Sequence, residues 1–186
     1  MSEAPGQVVL EVKDLHAHLF SRWGVVRAVD GVSFALREGQ TLGLVGESGC
    51  GKTMTALSVL RLLPQPAGRI VEGEIRLDGE DLLAKSEREM RRIRGRRISM
   101  ILQDPQTSLN PVFTIGNQLT EALRIHHREE SRGLWRRAEE ALRQVKVAAP
   151  DQRLRDYPHQ MSGGMKQRVV GAIAFSCEPS VLIADE

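Results

Sequence analysis

Three short segments of this chain have residue types and spacings that could do chemistry. The first, "GESGCGKT", runs from Gly46 to Thr53 with the spacing G-x-x-x-x-G-K-[ST]. Glycines in such a loop let successive backbone N–H groups turn inward around phosphate oxygens with no Cβ in the way. Gly46, Glu47, Ser48, Gly49, Cys50 and Gly51 would form that cradle. Lys52 would reach the β and γ phosphates, and the Thr53 hydroxyl would ligate Mg²⁺. The second segment, "VLIADE" from Val181 to Glu186, is an apolar run ending in two acids. Alone, such a pair reads as an ordinary strand end. Beside a phosphate loop, Asp185 stands where a carboxylate joins the magnesium shell, and Glu186 where a general base polarises the attacking water.

The third segment is "MSGGMKQRVV", Met161 to Val170. Two glycines and the Ser162 hydroxyl leave donors free at what reads as a helix start, which Val169, Ala172 and Ile173 continue on an apolar face. One phosphate chain is not easily gripped by two such ends of the same subunit, which assigns the second to a partner's nucleotide.

The elements that must position these segments can be read from periodicity. "VVLEV" from Val8, "VSFAL" from Val32 and the continuous run "TLGLV" from Thr41 to Val45 read as strands, the last buried on both faces. A helix is expected after Lys52, with Ala56, Leu57, Leu60 and Leu63 at helical spacing until Pro64 stops it. "GEIRLDGEDL" alternates around an Asp78-Gly79 turn as an antiparallel pair would, and "RRISMILQDP" supplies a strand ending near Gln103. Between Ile115 and Val147, Leu119, Ala122 and Leu123, then Leu134, Ala138, Ala141, Leu142 and Val145, form two amphipathic stripes of a helical subdomain.

Composition is consistent with this reading. At 186 residues, with 41% hydrophobic and 27% charged residues, the chain is long enough for one domain with a sizeable core. No apolar run approaches a membrane span, and the amino terminus has neither the basic segment nor the apolar core of a secretion signal. Two cysteines, Cys50 and Cys177, are too few for a disulfide framework and read as reduced thiols. A net charge of +2 is nearly balanced and argues neither for nor against a nucleic-acid partner, and none is expected. The basic run Arg91 to Arg97 reads as a solvated face, adjacent His126 and His127 as an exposed helix, and His159 as a packing residue.

Taken in order, "GESGCGKT", a glutamine loop at "MILQDP" with Gln103, the signature "MSGGM", and "VLIADE" resemble the ATP-binding subunits of ABC transporters, from about Val8 to Glu186. "QDPQTSLNPVFTIGNQ", "YPHQMSGGMKQRV" and "CEPSVLIADE" look like the branch that drives oligopeptide, dipeptide and nickel importers. Met161 stands where leucine is commoner in the signature, a swap that preserves volume.

The resemblance implies an α/β fold: a P-loop NTPase core with a mixed sheet, an N-terminal antiparallel β subdomain and an inserted α-helical subdomain. The core would cover about residues 8–114 and 165–186, and the helical part, including the signature, about 115–164. It implies ATP and Mg²⁺ as ligands, with Thr53, Gln103 and Asp185 toward the metal and Glu186 and Gln103 toward the attacking water. Ser162, Gly163 and Gly164 would contact the nucleotide of a second ATPase subunit, identical or paralogous. Trp23, or alternatively Phe20, would stack on adenine. Two membrane permease subunits and, indirectly, a solute-binding protein would be partners at the cytoplasmic face of the cell membrane. Rival expectations are a chain that binds nucleotide without turnover, and an ABC-type ATPase of DNA repair. The latter usually inserts heptads or paired cysteines between loop and signature, and neither is present here. The family continues past the acids with a loop, further strands and a histidine, so the chain is expected to be an N-terminal portion or truncated product that hydrolyses poorly by itself.

Overall fold

A computed structural model describes residues 6–103, 108–127 and 130–185. They divide into two compact units, Met1–Arg91 and Arg92–Glu186.

The first unit is built on a four-stranded antiparallel sheet in the order β2-β1-β3-β4. Its strands are β1 (Val8–Ser21), β2 (Gly24–Arg37), β3 (Gly68–Leu77) and β4 (Glu80–Asp81). In β3, buried Ile75 and Leu77 alternate with Glu74 and Arg76, the period-two pattern of a half-solvated sheet. Asp78 and Gly79 both take positive φ, 49° and 80°, and close the β3–β4 hairpin as the Asp-Gly dipeptide predicts.

β1 has a change of parity. Leu10 and Val12 are buried, then Leu15 and Ala17, so the inward set shifts by one residue in between. The register against β2 and β3 shifts at the same place, and Asp14 adopts φ 44°. This is a β-bulge, and its single extra residue returns Leu15 and Ala17 to the core while turning His16 and His18 to the opposite face. Across the ladder, Gly73 sits at φ 108°, and a Cβ there would lie 2.5 Å from the Asp14 carbonyl oxygen. Only glycine lets β3 pass the bulge this closely.

Helix α1 (Lys52–Val59) is shorter than its apolar stripe predicts. Arg61 takes φ 53°, its N–H donates to Ser58 O at 2.9 Å and Leu62 N–H to Leu57 O at 2.8 Å, the paired bonds of a Schellman cap. The Arg61 guanidinium holds this turn by donating to the carbonyls of Leu82 and Lys85. Leu60 and Leu63 are buried, as the spacing anticipates, but from the cap and the loop.

The expected buried strand at Thr41–Val45 does not form. These residues carry no strand pairing, Leu42 and Leu44 are exposed, and Val45 is 97% exposed. A turn at Arg37–Gln40, with Gln40 N–H on Arg37 O at 3.0 Å, leads the chain off the edge strand β2. A run apolar on both faces is buried only between two neighbouring strands, and no described strand pairs with this one.

In the second unit, β5 (Ile98–Ile101) and β6 (Val181–Ala184) pair in parallel, Ile98 opposite Val181 through Ile101 opposite Ala184. A parallel pair needs a long crossover. Here it contains α3 (Ile115–His126), α4 (Ser131–Gln144), the single turn α5 (Pro150–Arg153) and α6 (Gly163–Phe175). Helix α2 (Glu87–Ile93) lies where the two units join in sequence. The stripes read from the sequence form one core: Leu119 and Leu123 of α3, Leu134, Ala138, Ala141 and Leu142 of α4, and Val169, Val170 and Ala172 of α6. Thr114 caps α3, its side chain accepting from Asn117 N–H. Among the described residues no helix is long and apolar enough to cross a membrane.

Candidate functional site

The loop Gly46–Gly51 opens onto α1 with Gly49 at φ 81° and Gly51 at φ 97°. Gly51 is constrained twice over: a Cβ there would stand 2.2 Å from the Ala28 carbonyl oxygen of β2. At Gly46 a Cβ would meet Cys50 Sγ at 2.5 Å, so the small Cys50 side chain folds against the loop's first residue. The Lys52 ammonium turns back over the loop and donates to Gly46 O at 2.8 Å and Glu47 O at 2.9 Å, with Cys50 Sγ 3.8 Å away. A positive charge thus rests on the carbonyls of a glycine-rich turn at a helix start, where the helix dipole also favours an anion. Residues 46–50 and Thr53 are exposed, so the loop is open to a ligand.

The parallel register of β5 and β6 brings two other candidates together. Gln103 follows β5 by two residues and Asp185 follows β6 by one, so both emerge at the carboxyl ends of adjacent strands, the edge at which open α/β sheets bind ligands. Asp185 N–H donates to Ile101 O at 3.0 Å and fixes that end of the ladder. Glu186 lies outside the described residues, as do the four that follow Gln103.

Ser162 is the N-cap of α6. Its hydroxyl accepts from Met165 N–H at 3.3 Å, and Lys166 N–H bonds its carbonyl at 3.0 Å. Gly163 and Gly164 are exposed in the first turn, and buried Met161 anchors the segment before it. Replacing Ser162 with alanine removes the cap, and about 1 kcal/mol of stability is expected to go with it. The melting temperature would fall by about 2–4 °C, read by thermal unfolding followed in the far-UV; an unchanged melting temperature removes the cap from the account.

Both aromatic candidates stand at the β1–β2 tip. Trp23 is 84% exposed with the Arg22 guanidinium 4.7 Å from its ring centroid. Phe20 is opposite Val25, nearer along the hairpin to the Ala28 contact with the loop, and Arg69 lies 5.5 Å from its ring. With strands rising about 3.3 Å per residue, Trp23 stands about 7 Å farther from Ala28 along the hairpin than Phe20's partner Val25. By backbone register Phe20 is therefore the nearer of the two positions to the contact with the loop.

The exposed-helix reading of His126 and His127 is corrected. Both are half-buried, and a Cβ on Gly95 would sit 2.9 Å from His126 Nε2. Burial, with the charges of His127 and Arg96, holds the His126 pKa below its ordinary value despite a bond to the Arg94 backbone. His159 is exposed and stacks on Tyr157 at 5.6 Å between centroids. Burial pushes the Cys177 thiol pKa up, in keeping with an inert core thiol. The sequence reading passes over His16, His18 and Asp30, which β1 and β2 gather on one face; the His-x-His spacing on a strand was the available signal.

Residues 29–186 match the ABC transporter family. The chain is 50% identical over 185 residues to a probable peptide ABC transporter ATP-binding protein of Sinorhizobium fredii, covering 100% of this chain and 55% of that protein. It is 48% identical over 178 residues to a dipeptide transport ATP-binding protein of Bacillus subtilis, covering 96% and 53%. The chain thus spans about half the length of the curated relatives it matches. A solved dimeric ATP-binding cassette bound to ADP and Pi superposes with TM-score 0.82 at 24% identity, over 94% of this chain and 72% of that one, which shows a shared fold.

Proposed function

The chain belongs to the ABC transporter family, and from that premise we propose that it is the ATP-binding and hydrolysing part of a subunit that drives import of peptides. The observation that carries the reading is the Lys52 ammonium resting on the carbonyls of Gly46 and Glu47 at the head of α1. Incoming phosphate oxygens offer that ammonium charged acceptors in place of neutral carbonyls, and the surrounding backbone amides complete the grip. Gly46 through Thr53 bind the phosphates, and Phe20 or Trp23 stacks on the base.

Magnesium fits the donors assigned to it. The Thr53 hydroxyl, the Gln103 amide oxygen and the Asp185 carboxylate are hard oxygen ligands. Bound there, Mg²⁺ would neutralise charge on the β and γ phosphate oxygens. Gln103 orients the attacking water, and Glu186 accepts its proton. Ser162, Gly163 and Gly164 take the γ-phosphate of a second ATPase subunit, so two nucleotides close a head-to-tail dimer. Residues 115–164 form the helical part of the cassette, flanked in sequence by core residues 8–114 and 165–186. The subunit works at the cytoplasmic face of the membrane, held by two permease subunits and served by a solute-binding protein.

Peptide cargo is supported by the peptide and dipeptide transport functions named for relatives at 50% and 48% identity. The test is ATP-driven uptake by the full-length protein reconstituted with its permease and partner ATPase, offered labelled dipeptide or Ni²⁺. Dipeptide uptake is expected, with Glu186→Gln still binding ATP but turning over at least tenfold slower. Nickel uptake alone overturns the cargo, and undiminished turnover in the variant overturns the role of Glu186.

A further inference from the structure

The bulge at Asp14 leaves a cluster on the outer face of β1 and β2 that nucleotide binding does not use. His16 and His18 are two residues apart on one strand and share a face. Asp30 is opposite His16 in the antiparallel register. One ligand atom from each of the three lies within 4.8 Å of the others. His16 Nδ1 is 2.9 Å from Asp30 Oδ1, and its Nε2 is 3.2 Å from Asp14 Oδ1. His18 Nε2 is shut off from solvent and meets no hydrogen-bond partner among the described residues. A buried polar atom without a partner needs an explanation, and a bound ion is one of the few available.

We propose that His16, His18 and Asp30 form a binding site for a divalent transition metal of the zinc class. Two imidazole nitrogens and a carboxylate oxygen are the donor set Zn²⁺ takes when one coordination position stays open. The ion takes the place of the proton between His16 Nδ1 and Asp30 Oδ1. Asp14 remains on His16 Nε2, where a carboxylate fixes the ring of a ligating histidine. Bonds of about 2.0–2.1 Å put tetrahedral donors roughly 3.3 Å apart, so the widest pair closes by up to roughly 1.5 Å, within reach of side-chain rotation of half-buried His18.

The charges around the cluster are compatible with a cation. Glu72 is opposite His16 on β3, and Arg27 and Arg69 are opposite His18. Arg27 lies 3.8 Å from Asp30 Oδ2, which leaves Oδ1 facing the histidines, and Arg69 is placed over the Phe20 ring. Burial pulls the His16 pKa down, but the hydrogen bonds to Asp30 and Asp14 and their charges outweigh it and leave the pKa raised. The cluster already favours positive charge. A bound ion would cross-link β1 to β2 beside Phe20, whose ring centroid is 6.2 Å from that of His18.

The test is a titration of the full chain with Co²⁺, read by its visible absorption, and displacement by Zn²⁺, in a Cys50→Ser background that removes the exposed thiol. One equivalent is expected to give a tetrahedral cobalt spectrum that zinc abolishes. His18→Ala and Asp30→Asn are each expected to weaken binding about tenfold or more, with His126→Ala and His159→Ala unchanged. Asp30→Asn is near-isosteric and decides the matter if His18→Ala does not fold. Absence of the spectrum, equal affinity in Asp30→Asn, or loss of binding in His126→Ala overturns the site.

Discussion

Lys52→Ala is expected to weaken ATP binding by about 100-fold, the equivalent of one to two charge-assisted hydrogen bonds at about 1.5–3 kcal/mol each. The ammonium donates to Gly46 O and Glu47 O, at 2.8 and 2.9 Å. Those acceptors are neutral carbonyls on an exposed loop, and a phosphate chain competes with them on charge. The alanine variant loses both the charge and the loop closure, so its deficit includes the ordering of 46–51. Lys52→Arg separates the two effects: it keeps the charge, but its planar fork does not match a point contact over the turn, and it should recover only part of the affinity. Fluorescent-nucleotide titration or calorimetry reads both variants. Alanine within twofold of the parent would remove the phosphate assignment.

Gly51→Ala costs about 3–5 kcal/mol of folding stability, whereas Gly49→Ala in the same loop costs about 1–2 kcal/mol. Both glycines hold positive φ, 97° and 81°, so both substitutions carry the left-handed penalty of an L-residue. They differ in what the new methyl meets. At Gly49 there is nothing within 4 Å, while at Gly51 the Ala28 carbonyl oxygen would be 2.2 Å away. That oxygen belongs to the backbone of β2 and cannot rotate aside, so the head of α1 must leave the strand. Urea denaturation of the pair measures the difference directly. Equal losses would show that the close approach of loop and strand does not persist in solution.

Much of the site was legible because it is local. A glycine loop, a serine at a helix start and an Asp-Gly hairpin each specify their own backbone within a few residues, as Gly51, Ser162 and Asp78 do here. The two amphipathic stripes were legible for the same reason, since their period alone names the buried face. What escaped depends on partners elsewhere in the chain. "TLGLV" has the composition of a buried strand, but burial needs neighbours, and the run is exposed. Helix α1 stops at Val59 because Arg61, not a glycine, turns left-handed and finds carbonyl acceptors at Leu82 and Lys85. The Asp14 bulge hides in the same way: "EVKDLHAHL" reads equally as one strand in either parity, and only the Gly73 ladder fixes the shift.

The pairing of β5 with β6 also bears on how the chain is made. Ser180 bonds the carbonyl of Arg97, a residue 83 positions earlier. A ribosome adding about 5–20 residues per second needs about 4–17 s to cover that interval, during which Ile98–Ile101 lacks its β6 partner. Of its four residues Ile98 and Ser99 are buried in the finished ladder, so an apolar strand edge precedes its partner by the length of the intervening helices. The end that carries Gln103 and Asp185 therefore comes together only after the intervening helices have been made, and early formation of those helices would shelter β5 until then.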